Sequence, residues 1–365
     1  MSLKVGVVGV RRGSGPATVF HHHADCELVA IADRDPVVLE DVGTRLEVDP
    51  ARRFGDFEEL CRSDVDAILV STPAPLHAEQ CIAALRAGKH VLSEVPAVYS
   101  IEEGRELVKA VKESGRKYSF AENMCYYYYV QEYLRLVQNG TLGEILYAEG
   151  EYVHNCESLM TNRPDGMGGG TDDCKLTWRA HMPPIRYCTH DLGPLLQIFD
   201  DRCVTAVGMH TGNRRRPDLG CIDMEVGLFK TAKNITIKQL CAFSVAKEPS
   251  HHWFSIYGTE GELEQARRTG PDSKKDEHYL YQEGKGNETL KLSTNHPDAP
   301  EHALAGGHGT SEFYMVDEFV KCVLDDGPPP INVYQALDWA FAGICAHISA
   351  ENGSKPVDVP DPRQW

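Results

Sequence analysis

Lys4-Val5-Gly6-Val7-Val8-Gly9-Val10-Arg11-Arg12-Gly13-Ser14-Gly15 is an apolar run that stops at a turn of small and basic residues. The pattern predicts a buried strand over Lys4–Val10, then a helix whose N-terminal N–H groups suit an anion such as a pyrophosphate. The spacing departs from G-x-G-x-x-G: counted from Gly9, the second glycine position holds Arg11 and the third holds Ser14. Loss of one loop residue would leave Gly13 to provide the close approach, with Arg11 or Arg12 adding charge toward a phosphate. A plain strand-to-helix turn is the alternative. Roughly 20 residues beyond these glycines, the next apolar run, Leu28–Asp33, ends on a carboxylate placed to accept both ribose hydroxyls. That carboxylate would repel a 2′-phosphate, which favours NAD over NADP. Arg34 would soften the exclusion or flank the adenine, and Asp33 also reads as an ordinary turn acid before Asp35-Pro36.

Working outward, further strands are expected at Ala67–Ser71, His90–Ser93 and Tyr118–Ala121, with helical patterns between them. This alternation describes an α/β, doubly wound parallel sheet of the Rossmann type. Ser100 and Glu103 form a capping box that opens a helix with Leu107, Val108 and Val111 on one face, ending near Gly115. From about Glu144 longer strand-like runs follow: Glu144–His154, Val204–Thr211, Cys221–Lys230, Asn234–Ala246 and Phe254–Tyr257. They predict a second α+β domain on an open, mostly antiparallel sheet. Two helices close the chain, one from Ser311 that aligns Phe313, Val316, Val320 and Val323, the other from Val333 to His347. The polar stretches Asn155–Lys175 and Arg268–Gly306 read as long loops suited to cover a site. The division expected is 1–123 for dinucleotide binding and 124–365 for substrate binding and oligomerisation.

The chain has 365 residues, and 37 Lys and Arg stand against 54 Asp and Glu, a net charge of −17. Such a surface repels phosphate backbones, so no nucleic-acid partner is expected. No apolar run is long enough to span a bilayer, and the first residues read as a strand rather than an export leader. The 12 cysteines form no C-x-x-C pair, so a reducing cytoplasm is the expected compartment.

The run Val65-Asp-Ala-Ile-Leu-Val-Ser-Thr-Pro-Ala-Pro-Leu-His77, followed by Ala84-Leu-Arg-Ala-Gly-Lys-His-Val-Leu-Ser-Glu-Val-Pro96, resembles the Gfo/Idh/MocA oxidoreductases. Asn139-Gly-Thr-Leu-Gly-Glu-Ile145, Trp178-Arg179 and Lys355-Pro-Val-Asp-Val359 extend the likeness over nearly the whole chain. The resemblance implies a nicotinamide in the cleft between two domains and sugar derivatives as substrates. It places Ser71, Thr72 and Pro73 along the dinucleotide, His77 near the ribose, and Glu94 at the nicotinamide end. One departure matters: the family's Glu-Lys-Pro is here Glu94-Val95-Pro96, so the lysine that relays protons in ordinary sugar dehydrogenases is lost. Glu122-Asn-Met-Cys-Tyr126, Tyr187-Cys-Thr-His-Asp-Leu-Gly-Pro194 and His308-Gly309 instead look like the NAD-dependent glycosidase branch, typified by α-N-acetylgalactosaminidases. That likeness implies cofactor contact at Asn123 and substrate contact at His308.

Hydride leaves a sugar carbon only as the hydroxyl proton leaves, so a base must reach that oxygen. His190 is the first candidate, because histidine titrates near working pH and Tyr187, three residues earlier, shares its face if the segment is helical. A buried histidine at a domain boundary is the plain alternative. In the glycosidase reading, oxidation at C3 acidifies the C2 proton, the C1 substituent leaves by elimination, water adds and the hydride returns. Tyr126, Tyr187, His190 and Glu94 are the candidate proton carriers, Tyr126 as a base if cations lower its pKa. Trp178 and Arg179 would bound the sugar by stacking and hydrogen bonding.

No metal is expected: His154, Cys156, Cys174, His181 and His190 match no zinc spacing. His21 to His23 and His251-His252 read as partly exposed histidines. A catalytically silent NAD-binding sensor is the competing function, and an isologous homodimer or higher assembly is expected from the open sheet.

Overall fold

The structure, a computed structural model, describes residues 2–161, 175–249, 251–267 and 276–365. The first sheet contains β1 (Leu3–Val8), β2 (Cys26–Ala32), β3 (Arg53–Phe54), β4 (Ala67–Val70), β5 (His90–Ser93) and β6 (Tyr118–Phe120). Its order is β3-β2-β1-β4-β5-β6, with every pairing parallel. Helices α1 (Ser14–His22), α2 (Pro36–Arg45), α3 (Phe57–Arg62), α4 (His77–Arg86) and α5 (Ile101–Ser114) connect these strands. Val5, Val7 and all of β4 are fully buried, the condition of a parallel sheet covered on both faces. The chain order reverses between β1 and β4, and ligands of such sheets bind beyond the strand C-termini at that switch. The capping box is present: Ser100 Oγ accepts from Glu103 N at 3.1 Å, and Gly115 ends α5 at φ +63°.

The second sheet contains β7 (Ile145–Val153), β8 (Cys203–His210), β9 (Met224–Thr231), β10 (Thr236–Ala242), β11 (His252–Gly258), β12 (Gly261–Gln265), β13 (Glu277–Gln282), β14 (Gly286–Lys291) and β15 (Val357–Asp358). The order is β14-β13-β12-β11-β7-β10-β9-β8-β15, antiparallel except for β7 with β10. Helices α6 (Tyr128–Gln138), α7 (Trp178–His181), α8 (Thr189–Phe199), α9 (Thr310–Leu324) and α10 (Val333–Glu351) complete the chain. Two of them press on the second sheet where glycines replace side chains. A Cβ on Gly150 of β7 would lie 3.1 Å from Asp191 Cβ of α8, and one on Gly208 of β8 only 1.9 Å from Ala346 O of α10. The other face leaves Leu228, Tyr257, Tyr279 and Tyr281 exposed.

Three expectations change. The two-residue strand β3 is too short to leave a periodic signal. The stretch expected to be a loop from Arg268 contains β13 and β14, joined by a turn with Gly284 and Gly286 at positive φ. β14 forms the sheet's edge and is largely exposed, so its composition is polar where a central strand would be apolar, and β13 beside it is half-buried with polar residues among its inward positions. The compact units also divide differently from 1–123 and 124–365. The first comprises Met1–Tyr128, Thr294–Leu337 and Pro362–Trp365, the second Tyr129–Ser293 and Asp338–Asp361. The late segment joins the first unit because α9 packs on α1 and Ile331 O accepts from Phe120 N beside β6. Among the described residues no helix is long and apolar enough to cross a membrane, and the described cysteines form no disulfide.

Candidate active site

The turn after β1 is built on absent side chains. Gly9 has φ +82°, and a Cβ there would lie 2.5 Å from Ser71 O and 2.6 Å from Thr72 N. A Cβ on Gly13 would meet Ser71 Oγ at 2.2 Å. Ser71 fixes this approach itself, its hydroxyl donating to Val8 O at 2.8 Å. It is therefore a strap beneath the turn, buried rather than presented to a ligand. Gly9, Asp33, Arg34, Thr72 and Pro73 line one cavity of about 250 Å³. Thr72 is held there by its hydroxyl, which donates to Gln80 Oε1 at 2.6 Å.

Asp33 has the turn role expected of it, and its carboxylate lines the cavity. Oδ1 accepts from Asp35 N at 2.9 Å and Oδ2 from Arg11 N at 3.4 Å, so the carboxylate is held at the cavity wall. Replacing Asp33 by Ser is expected to lower NAD+ affinity and raise NADP+ affinity, each about tenfold (~1.4 kcal/mol). Fluorescence titration of the two dinucleotides checks this, and an unchanged ratio would remove Asp33 from the ribose.

The basic residues of the turn do not present free charge to a phosphate. Arg11 pairs with Asp35 at 2.6 Å, and Arg12 lies 3.1 Å from Glu94 Oε1 and 3.9 Å from Glu312 Oε1. Glu312 also accepts from Gly307 N at 2.6 Å and bonds His308 Nδ1 at 2.7 Å. Burial pushes the Glu312 carboxyl up, but His308, Arg12 and that amide outweigh it and hold it below the usual range. Sequence reading placed Glu94 and His308 separately, and the structure puts both on one charged network through Arg12 and Glu312.

His77 does not present a nitrogen to a ribose. The ring is buried, with Nδ1 2.9 Å from Pro96 O and Nε2 2.7 Å from Thr72 O, so it braces one loop against another. Tyr126 is not activated by cations either. Burial and then Glu318 raise its pKa well above that of a free phenol, leaving a hydrogen-bond donor rather than a base. Asn123 is buried in the turn after β6. Val95, in the lysine's position, is buried and apolar.

The second unit gathers a cluster of rings. His190 opens α8, Tyr187 ends the short turn before it, and their rings stand 5.0 Å apart, edge to face. Tyr152 of β7 lies 5.3 Å from His190, 5.5 Å from Tyr187 and 5.4 Å from His252. His252 Nδ1 is 3.1 Å from Oδ1 of fully buried Asp191, an acid that orients the ring. Arg179 lies over Trp178 at 4.2 Å and over Tyr187 at 4.4 Å, buried and positive between aromatic faces. Its Nε and Nη1 have no hydrogen-bond partner among the described residues. Burial opposes its charge, but Tyr187, Cys156 and Tyr152 raise its pKa further.

Tyr152, His252 and Asp191 were missed as site residues. Tyr152 carries a usable signal, because strand alternation puts residues 152 and 154 on one face. His252 was grouped with His251, yet neighbours on a strand face opposite ways. The structure also brings His154, Glu248 and His251 together, whereas Cys174 of the expected non-binding set lies outside the described residues.

Residues 3–122 match the family model described as oxidoreductase family, NAD-binding Rossmann fold, and residues 221–364 match glycosyl hydrolase 109, C-terminal domain. A glycosyl hydrolase family 109 protein of Solibacter usitatus is 30% identical, over 84% of this chain and 73% of the relative. Glycosyl hydrolase family 109 protein 1 of Bacteroides thetaiotaomicron is 27% identical over 99% of this chain and 84% of its own. Among solved structures, a levoglucosan dehydrogenase in complex with NADH and levoglucosan superposes with TM-score 0.80 at 19% identity, covering 99% and 100% of the two chains. Scyllo-inositol dehydrogenase from Lactobacillus casei superposes with TM-score 0.74 at 19% identity, covering 98% and 99%.

Proposed function

The chain belongs to glycosyl hydrolase family 109 and carries the Rossmann fold of the Gfo/Idh/MocA oxidoreductases, and we propose that it is an NAD-dependent glycosidase working by oxidation, elimination and re-reduction. One observation carries the reading: buried Tyr152, Tyr187 and His190 and partly buried, Asp191-held His252 form one cluster of proton carriers. A simple dehydrogenation moves one proton, whereas elimination needs one off the hydroxyl, one off C2 and one onto the leaving oxygen. Loss of the family's lysine at Val95 supports the same reading.

The residues present fit the dinucleotide, since Gly9 and Gly13 leave no room for a Cβ and Asp33 stands in the cavity wall. NAD supplies, when bound, a reversible hydride acceptor. Asp33 would accept the ribose hydroxyls, and Thr72 and Pro73 border the cavity. His190 takes the proton of the oxidised hydroxyl, with Tyr187 against its ring to pass it on. The Arg179 guanidinium, with two nitrogens that have no partner among the described residues, offers a fixed positive charge to the oxygen that becomes negative as C2 is deprotonated. Trp178 supplies an apolar face for the sugar.

Nitrophenyl glycosides test this directly. Aglycone is expected to be released with NAD present and no NADH accumulating, and deuterium from D2O should appear at C2 of the sugar. NADH accumulating with free sugar would make the protein a dehydrogenase, and NAD binding without turnover of any glycoside would make it a sensor.

A further inference from the structure

His154 follows β7 and His251 precedes β11, and the backbone ties these strand ends together through Val153 N donating to His251 O at 3.0 Å. Glu248 reaches in from the segment after β10, its carboxylate oriented by the Asn155 amide, which donates to Oε1. His154 Nδ1 is 2.9 Å from His251 Nε2 and 3.2 Å from Glu248 Oε1, and His251 Nε2 is 2.6 Å from Glu248 Oε2.

Protons alone satisfy this triangle only at the cost of crowding or of facing lone pairs. Each nitrogen carries at most one in-plane hydrogen, so if His251 donates to Glu248, its Nε2 cannot accept from His154. If both nitrogens are protonated, each donates to its own oxygen of Glu248, but the two N–H groups are then crowded with their nitrogens 2.9 Å apart. If His154 Nδ1 is bare, its lone pair faces a carboxylate oxygen. A single cation at the centre satisfies all three lone pairs together. Ligands about 2.0–2.1 Å from a tetrahedral ion stand about 3.3 Å apart, so the side chains need separate by less than about 1 Å. The histidines are anchored at ends of adjacent strands, a rigid base for a site.

We propose that His154, Glu248 and His251 bind one divalent transition-metal ion of the zinc type, with its remaining coordination open. Two imidazoles and one carboxylate select zinc, cobalt or nickel over magnesium or calcium. His251, 51% exposed in its side chain, leaves the site open to solvent. Two residues along β7, Tyr152 touches both Tyr187 and His190, so the ion would stand beside the proton carriers.

The test uses the full chain, free of any affinity tag and stripped with a chelator. Isothermal titration with zinc and, separately, visible absorption on adding cobalt are compared for the parent, His251→Ala and Glu248→Gln. Both substitutions fall on accessible side chains, and circular dichroism checks the fold. One equivalent of zinc is expected in the parent beyond that of either variant, with a cobalt d–d band absent from both and no uptake of magnesium there. Equal uptake by parent and variants, whether none or all at other histidines such as His21 to His23, overturns the proposal. Both readouts are independent of turnover.

Discussion

Replacing His190 by Ala is expected to lower turnover of a nitrophenyl glycoside by about 10²–10⁴-fold, the usual contribution of a positioned acid or base. NAD+ affinity should stay within about twofold, because the cavity of Gly9, Asp33 and Thr72 belongs to the first unit and His190 to the second. The split matters: if His190 merely fills space beside Tyr152 and Tyr187, its loss loosens the cluster and lowers thermal stability while turnover stays within tenfold. Tyr187→Phe keeps the ring against His190 and the cation–π face for Arg179 but removes the hydroxyl. A fall in rate with unchanged melting temperature would then assign the hydroxyl to proton passage. Stopped assays of aglycone release beside dinucleotide titration separate these results.

Gly9→Ala is expected to abolish dinucleotide binding, at least 100-fold (~2.7 kcal/mol), and to lower stability by about 1–3 kcal/mol. The added carbon collides with backbone atoms, Ser71 O at 2.5 Å and Thr72 N at 2.6 Å, and an L residue at φ +82° is strained whatever the space. Gly13→Ala collides instead with the Ser71 hydroxyl at 2.2 Å, so a second change, Ser71→Ala, should recover part of its loss. The same second change should recover nothing for Gly9→Ala. Calorimetric NAD+ titration and thermal unfolding of the four variants decide the matter, and rescue of both glycine variants would show that the Gly9 contact is not with the backbone.

What could be read from residue order follows from how local each signal is. Strands β1, β2, β4, β5 and β6 announce themselves as continuous apolar runs because both faces are covered. The Ser100, Glu103 and Gly115 signals fix a helix from within its own turns. The pairing of Tyr187 with His190 was legible for the same reason, being three residues apart. Tyr152 and His252 join them only through sheet pairing, and register across strands leaves no mark in either segment. Edge strand β14 and its neighbour β13 were hidden by polar composition. Motif resemblance placed His77 near the ribose, but its two backbone acceptors, Thr72 O and Pro96 O, exist only once the loops have folded.

The discontinuous first unit bears on how the protein is made. Gly15, at the start of α1, packs so closely on Glu312 that a Cβ would lie 2.7 Å from its Oε2, and His23 at the helix's end lies 3.3 Å from Asp317. A nascent chain on the ribosome therefore exposes this side of α1 until α9 emerges, after the whole second sheet except β15 has been translated. A fragment ending at residue 123 would keep that exposed flank permanently and should aggregate, whereas a circularly permuted chain that brings Thr294–Leu337 ahead of β1 should let the dinucleotide half mature first.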